Sequence, residues 1–438
     1  TFYWPNNATA IAIGDFTEKE ALSMIKKHFG KIRKSTKPIP EVYTAEPKQE
    51  GIRTITLKRA GQQGIVGVAH KTPAATHPDA PAFMVLSSIL SSGKNSRFYK
   101  NITDKGLTTS VYIWDSLFRD PGLFTVYANL SPDVDHKTVE KAVVDEYEKI
   151  KKDGVSDEEV KNAQTQLIAS MKFRQDGSYA IASGLNEAIA SGDWTLYTTY
   201  DEKIGTVTKD DVQRIVKEYF KEDLSTIGYF VPLGAGGQNK KLATSAKDLE
   251  KMKLKHYSEE EELLSSKVVD SEPVEGIRLL TLKRGSGVVT LTGSMLGGDI
   301  YASGNARTAD MVAAMLDQGT TNMTKFEISA KLESAGARLG FFNGQARVGF
   351  SGKFLSEDTK MVFDLLADQL KNPLFAEEDL NKVKKRQVAN YKRSKESTRG
   401  NATNNMLKAF YGTDHQNSPT DPDKAIEEIK KITPKNLK

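Results

Sequence analysis

An internal repeat constrains the fold of this chain more than any other feature of its sequence. Residues 51–59 read GIRTITLKR and residues 276–284 read GIRLLTLKR, so seven of nine positions are identical at a separation of 225 residues. Further along, residues 156–174 resemble residues 376–394, and the order of the matches is preserved. Similarity that recurs in the same order predicts two copies of one structural unit.

Each copy shows the same succession of strand and helix patterns. Alternating apolar residues predict strands, and longer amphipathic stretches predict helices. In the first copy the predicted strands are 65–68 and 123–130, and the predicted helices are 83–90, 136–151 and 157–174. Ser156 and Glu159 have the spacing of a capping box at the start of the last helix. The expected fold class is α+β, with duplicated units that each pack helices on one face of an antiparallel-type sheet.

The repeat also suggests domain boundaries. Residues 7–16 resemble the strand that closes a unit, and Thr17 and Glu20 predict a helix directly after it. We therefore expect five segments, of which the first is the tail of a preceding unit and the last is a unit without its closing strand. They are 1–33 (tail), 34–50 (linker), 51–233 (second unit), 234–273 (linker) and 274–438 (third unit).

Composition excludes several classes of function. The 62 basic and 57 acidic residues are interspersed and give a net charge of +5, which does not favour a nucleic-acid partner. The absence of cysteine excludes disulfides and thiolate zinc sites. No apolar run reaches the roughly 18 residues of a membrane span. The compartment stays open, with the periplasm favoured over the cytoplasm.

Several local patterns allow a functional and a structural interpretation. His70, His77 and Asp79 could bind a metal, but prolines between them favour a surface loop. His28 ends a predicted helix, where a cation complements the helix dipole. The glycines at 285–287 and 297–298 are interpreted as turn residues, and the acidic run 259–262 as a solvated face. Core packing is the interpretation for five aromatic residues: Tyr112, Trp114, Phe118, Phe124 and Tyr127.

Three stretches together resemble the pitrilysin/insulinase-type (inverzincin) zinc metallopeptidases. They are YWPNNATAIAIGDF at 3–16, the helix end His28–Ile32, and SSGKNSRFYKNITDKGL at 91–107. The resemblance implies four homologous α+β units in two halves that enclose a peptide. It also implies a zinc site built from an inverted H-x-x-E-H motif on the first helix of one unit.

The zinc motif is degenerate in this chain when it is aligned on Gly319 and Thr320. The motif positions hold Asp310, Ala313 and Ala314, and the stretch expected to supply a third ligand, 385–392, has no carboxylate. The equivalent stretch of the other unit, 81–90, has neither His nor Glu. We therefore predict no catalytic residue and no metal ligand in this chain, and we expect zinc in the parent protein.

The resemblance also implies an Arg and a Tyr that bind substrate, but Thr103 and Thr109 occupy those positions. The substrate-binding residues are therefore unknown. The favoured function is the non-catalytic, chamber-forming part of a zinc metalloendopeptidase, with a peptide substrate and with N-terminal catalytic and C-terminal units as partners. Whether the chain belongs to an active enzyme is uncertain. An inactive family homologue that acts as a scaffold is the main alternative, and a stand-alone peptide-binding protein is a third.

Overall fold

The computed structural model describes residues 2–40, 48–59, 61–175, 177–233, 268–283, 287–302, 304–412, 415 and 417–438. Within these ranges the protein combines sheets with packed helices, so the predicted α+β class is confirmed. In the described part, no helix has the length and apolar character that crossing a membrane requires.

The N-terminal helix α1 spans Glu18–Phe29 and begins where the sequence predicts. The side chain of Thr17 accepts a hydrogen bond from the backbone of Glu20, and the Glu20 carboxylate accepts one in return. The strand predicted over 7–16 is wrong. Residues Pro5–Asn7 form a short 3₁₀ turn and the following residues are irregular. A strand needs a neighbour for its backbone groups, and no strand of the described chain pairs with this segment.

The described residues of the first segment, 51–233, form one five-stranded sheet and six α-helices. Its strands are β1 (Arg53–Arg59), β2 (Ile65–Lys71), β3 (Thr108–Asp115), β4 (Leu123–Leu130) and β5 (Thr226–Pro232). Its helices are α2 (Ala80–Ser91), α3 (His136–Asp153), α4 (Asp157–Arg174), α5 (Ser178–Ala190), α6 (Leu196–Gly205) and α7 (Lys209–Tyr219). A capping box of Ser156 and Glu159 starts α4, as predicted.

The sheet order is β1-β5-β2-β4-β3, and one pair departs from the antiparallel expectation. The pairs β2–β4, β2–β5 and β3–β4 are antiparallel, whereas β1 and β5 run parallel. A parallel pair requires a long crossover between its strands, and here all the helices α2–α7 lie between β1 and β5 in the chain. The sheet is therefore mixed at one edge.

Alternation along the strands separates the two faces of this sheet. Val66 and Val68 on β2 and Phe124 and Val126 on β4 are fully or almost fully buried. They form one cluster with buried apolar residues of α2, α3 and α7, such as Phe83. The helices thus cover one face, and residues at the intervening strand positions lie on the other.

The second segment, residues 274–438, has a similar order of elements, with an additional α-helix before its second sheet strand. After the hairpin strands β6 (Val269–Val274) and β7 (Ile277–Thr281) come β8 (Val288–Leu296), α8 (Arg307–Met315), α9 (Lys325–Ser334), β9 (Arg338–Asn343) and β10 (Arg347–Leu355). The remaining helices are α10 (Thr359–Lys371), α11 (Glu377–Ser394), α12 (Thr398–Tyr411), α13 (Pro422–Lys431) and α14 (Pro434–Leu437). The sheet order β8-β10-β9 matches β2-β4-β3.

The predicted linkers need one correction. Residues 234–267 and 41–47, and with them the acidic run 259–262, lie outside the described residues. Residues 269–273, however, belong to β6, which pairs with β7 and is not part of a linker. In the other linker, Gln49 is buried and its Nε2 donates a 2.8 Å hydrogen bond to the backbone oxygen of Ser225.

The two segments contact each other through polar groups. Asn95 Nδ2 donates a 3.1 Å hydrogen bond to the backbone oxygen of Phe326, whose ring also packs edge-on against Tyr99. Lys325 is 7% exposed and forms ion pairs with Asp104 of the first segment and, at 3.0 Å, Asp379 of the second. A buried lysine that contacts carboxylates from both segments fixes their relative position.

Candidate functional site

The positions of the degenerate zinc motif lie together on α8. Asp310 is partly buried, whereas Ala313 is buried and its methyl group offers no donor atom, as is also true of Ala314. One turn earlier, Arg307 is only 8% exposed, and its guanidinium contacts the Asp310 carboxylate. The cation beside the motif positions is therefore the guanidinium of an arginine side chain and not a metal ion.

Several polar groups complete the surroundings of Arg307. Its Nη2 donates a 2.9 Å hydrogen bond to Asp299, and its Nη1 lies 3.3 Å from the hydroxyl of Tyr391. Asn343 of β9 bridges the two carboxylates through hydrogen bonds of 2.8 Å to Asp299 and 2.7 Å to Asp310. We call these five residues the Arg307 cluster.

The Arg307 cluster does not fit a zinc ion. Burial alone would lower the pKa of Arg307, but Asp310, Tyr391 and Asp299 outweigh it, so the pKa is raised and the guanidinium stays charged. Its charge already neutralises the carboxylates, and a zinc ion beside it would be repelled. Within the described ranges, no group of three or more His, Cys, Asp or Glu is arranged to hold a metal.

The remaining sequence candidates are dispersed. Thr103 and Thr108 share a 3.0 Å hydrogen bond between their hydroxyls, whereas Thr109 is buried and accepts a 2.7 Å hydrogen bond from Gln63. The glycine at 298 follows β8 with φ of +94°, which confirms its interpretation as a turn residue. The glycine pattern at 285–287 lies largely outside the described residues.

The histidine candidates do not form one site either. The interpretation of His70 as part of a surface loop is wrong, because it lies within β2, is 3% exposed and packs on Tyr147 and Phe220. Burial lowers the pKa of His70 to about 4. Asp79 instead accepts a 2.6 Å hydrogen bond from Arg214. His28 is exposed in the last turn of α1, at the end where a cation complements the helix dipole.

The aromatic residues of β3, β4 and the loop between them give the largest departure from expectation. Phe124 is buried as predicted, but Tyr112, Trp114 and Phe118 are 49%, 58% and 60% exposed, so core packing is wrong for these three. Tyr112 stacks on Tyr127 with ring centroids 5.2 Å apart. Tyr112, Trp114 and Tyr127 all lie on the sheet face opposite the helices.

Strand register places a row of small residues beside these aromatic rings. Tyr112 pairs with Tyr127, Tyr127 with Gly67, Gly67 with Gly228, and Gly228 with Ile55. Ile55 on the far side is 61% exposed. A shallow depression floored by glycine therefore runs between an aromatic wall and an aliphatic wall. We call it the glycine trough, with Gly67, Ala69, Thr226 and Gly228 as its floor.

Two family models match separate parts of the chain. Residues 1–167 match the family model described as the peptidase M16 inactive domain. Residues 289–423 match the model described as insulinase, peptidase family M16. The chain belongs to the M16, or pitrilysin/insulinase-type, peptidase family. The resemblance deduced from short motifs is thereby confirmed, and the first match is to a domain described as inactive.

Curated members of the M16 family match about half of the chain. The zinc protease PqqE of Helicobacter pylori is 28% identical over 234 residues, which cover 53% of each protein. An uncharacterized zinc protease of Streptomyces coelicolor is 26% identical over 241 residues, or 52% of this chain and 51% of the relative. The chain thus spans about half the length of the curated relatives that it matches.

Solved structures show the same kind of partial correspondence. A protease from Helicobacter pylori is 27% identical, with a TM-score of 0.48 over 50% of this chain and 54% of that one. The ferredoxin protease FusC, solved with Arabidopsis ferredoxin, is 16% identical, with a TM-score of 0.47 over 97% of this chain and 51% of that one.

Sequence reasoning missed both the Arg307 cluster and the glycine trough. The spacing of Arg307 and Asp310 is the i, i+3 separation of a helical ion pair, so part of the cluster was detectable. The trough was not, because Gly67 and Gly228 are 161 positions apart and become neighbours only through strand pairing.

Proposed function

We propose that this M16 chain is the non-catalytic, chamber-forming part of a zinc-dependent metalloendopeptidase and holds a peptide substrate. The single observation that carries the proposal is the glycine trough. It is an open sheet face with exposed Tyr112 and Trp114 on one side and exposed Ile55 on the other. Aromatic and aliphatic walls supply apolar contacts, and a glycine floor lets a peptide backbone approach closely.

The proposal places the catalytic zinc and the catalytic base outside this chain, in an N-terminal unit of the same or a separate polypeptide. The donor groups around Asp310 do not fit zinc, while the curated relatives are described as zinc proteases. We further propose that 51–233 and 274–438 are duplicated units, since the sheet order β2-β4-β3 of the first matches β8-β10-β9 of the second.

Reconstitution tests this function directly. A quenched fluorescent peptide is incubated with the chain alone, with the catalytic unit alone and with both, in the presence and absence of a chelator. We expect no cleavage by the chain alone, weak cleavage by the catalytic unit and stronger, chelator-sensitive cleavage by the pair, because positioning a substrate lowers the barrier. Chelator-sensitive turnover by this chain alone would overturn the proposal.

A scaffold function is the alternative, and the Arg307 cluster favours it. A salt-bridged network at the motif position stabilises the fold and performs no chemistry. An inactive homologue would keep such a network and bind partner subunits without processing peptides. A reconstituted pair that binds zinc but does not cleave peptides would decide for the scaffold.

A further inference from the structure

An open cleft lies on the helix-covered side of the first segment, away from the glycine trough. It has a volume of about 1070 Å³ and is bounded by α2, α4, α5, α6 and the β3–β4 hairpin. Its apolar lining includes Met84, Leu117, Met171 and Leu196. A cleft of this volume is large enough for a small organic molecule.

Three polar groups in the walls of this cleft lack hydrogen-bond partners. One carboxyl oxygen of Asp115, the hydroxyl of Ser88 and the hydroxyl of Tyr197 are all buried without a partner in the structure. They come from β3, α2 and α6, so three separate elements contribute polar groups to the walls of the cleft. Buried polar groups are normally paired, and unpaired groups around one cleft indicate a ligand with complementary polar atoms.

The charges of the cleft favour a cation over an anion. Arg119, Asp120, Arg174 and Glu187 also line it, but all four are exposed to solvent, where their charges are screened. Among the charged residues of the described chain that line the cleft, Asp115 is the one that is not exposed. Burial raises the pKa of Asp115 to about 7.

The pKa of a nearby tyrosine is also affected by the Asp115 carboxylate. Tyr200 of α6 donates a 2.8 Å hydrogen bond to the backbone oxygen of Ala75 and also lines the cleft. Burial, and after it the charge of Asp115, raises the pKa of Tyr200 to about 12. Tyr200 therefore remains a neutral hydroxyl near Asp115.

We propose that this cleft binds a hydrophobic organic cation, whose ammonium group pairs with Asp115 and whose apolar body lies against Met84, Leu117 and Met171. The unpaired hydroxyls of Ser88 and Tyr197 are further polar groups in the walls of the same cleft. The aromatic ring of Tyr200 beside the carboxylate provides a further favourable contact for a cation. This site is separate from the proposed peptide trough, and it requires no catalytic activity.

Calorimetric titration of the full chain at pH 8 tests the proposal with three probes of equal length. Octylammonium, octanol and octanoate share an apolar body and differ in charge. We expect octylammonium to bind with one site per chain and about tenfold more tightly than octanoate, since the favourable charge pair lies in a partly desolvated cleft. Octanol should fall between the two.

Two variants and one control locate the binding. Asp115→Asn should remove the preference for octylammonium over octanoate. Ser183→Trp fills the cleft from an exposed position on α5, where the fold is least at risk, and should weaken all three probes. Asp145→Asn, on the exposed face of α3, should change nothing. Circular dichroism melting verifies that each variant is folded.

Two outcomes would contradict the proposal. Equal affinity for the three probes, unchanged in Asp115→Asn, would show that the charge of Asp115 has no role. Absence of binding by every probe to the folded parent chain would show that the cleft is not a ligand site. Neither result bears on peptide cleavage by a reconstituted enzyme.

Discussion

The ammonium of Lys94 lies 3.0 Å from the carboxylate of Asp317 and donates a 2.6 Å hydrogen bond to the backbone oxygen of the same residue. Lys94 follows α2 and Asp317 follows α8, so the turns after these two helices meet. Burial lowers the pKa of Lys94, and Asp317 opposes this effect. The Lys94 ammonium is therefore a desolvated cation that lies between the two segments and is stabilised by Asp317.

Removal of the Lys94 ammonium should loosen this contact. Lys94→Met keeps the apolar stem but leaves the backbone oxygen of Asp317 without its donor, so we expect a loss of about 1–3 kcal/mol in the free energy of unfolding. Urea denaturation measures the change. Lys141→Met, which breaks an exposed pair with Asp145, should cost no more than about 0.5 kcal/mol. Equal effects of the two variants would refute the structural role.

The Arg307 cluster should be important for the stability of the second segment. Arg307→Met leaves Asp299 and Asp310 without their cation, and we expect the free energy of unfolding to fall by about 3 kcal/mol. Denaturant titration provides the measurement. The double variant Arg307→Met, Asp310→Ala should recover part of this loss, since it removes one unpaired carboxylate.

The exposed pair of Arg278 and Asp270 on the β6–β7 hairpin provides a matched control. Both side chains are more than half exposed, at 73% and 51%, so Arg278→Met should change stability by less than about 0.5 kcal/mol. If Arg307→Met were equally mild, the guanidinium could not be holding the cluster together.

Purified chain should contain no stoichiometric zinc. The carboxylate of Asp310 is already bonded to Arg307 and Asn343, and Ala313 and Ala314 provide no donor atoms. Elemental analysis after dialysis measures the metal content. About one tightly held zinc per chain would contradict this expectation, unless His77→Ala removed it, which would identify weak surface binding.

The sequence predicted elements whose signals are local. Helix α4 begins and ends where the pattern indicated, because the Ser156–Glu159 capping box and an amphipathic stretch agree. The strand at 7–16 failed because the alternation of Ile11 and Ile13 shows strand propensity alone, and propensity cannot supply a partner strand. The parallel pairing of β1 with β5 was equally out of reach, because it depends on the path of six helices.

The candidate sites were less predictable because they depend on contacts between distant positions. Trp114 was assigned to the core from its strand-like surroundings, but alternation places it on the open face. Its neighbour in sequence, Asp115, points to the opposite face and lines the cleft. Two consecutive residues thus lie on opposite faces of the sheet. Which of the two is buried depends on the face against which the helices pack.

Acid should destabilise the protein through His70. Its folded-state pKa of about 4 lies below the ordinary value, so between these values the unfolded chain binds a proton that the folded chain does not. Stability is complete above pH of about 6.5 and falls as the pH decreases to about 4, by about 3 kcal/mol in total. Unfolding measured across this range should show a weaker pH dependence in His70→Leu than in the parent chain.

The exposed histidine His77 gives the control for this measurement. Its side chain is 45% exposed, and His77→Gln should leave the pH dependence unchanged. An unchanged slope in His70→Leu would show that groups other than His70 cause the acid sensitivity.

A larger side chain in the glycine trough should weaken peptide binding without lowering the stability of the fold. No atom lies within 4 Å of a Cβ added at Gly228, and strand positions favour β-branched residues, so Gly228→Val should keep or slightly raise the melting temperature. The same side chain would occupy the floor between Tyr127 and Ile55. We expect cleavage of the fluorescent peptide by the reconstituted pair to fall about tenfold, mainly through a higher KM, because uniform binding is lost.

Gly340→Val is the matched control for this change. Gly340 also lies in a strand, β9 of the second segment, and a Cβ added there meets no atom within 4 Å. It lies outside the trough, so its substitution should leave both KM and kcat unchanged. If Gly228→Val matched Gly340→Val in every kinetic constant, the substrate would not lie against this sheet. A fall in kcat without a change in KM would instead indicate an effect on the assembly of the pair.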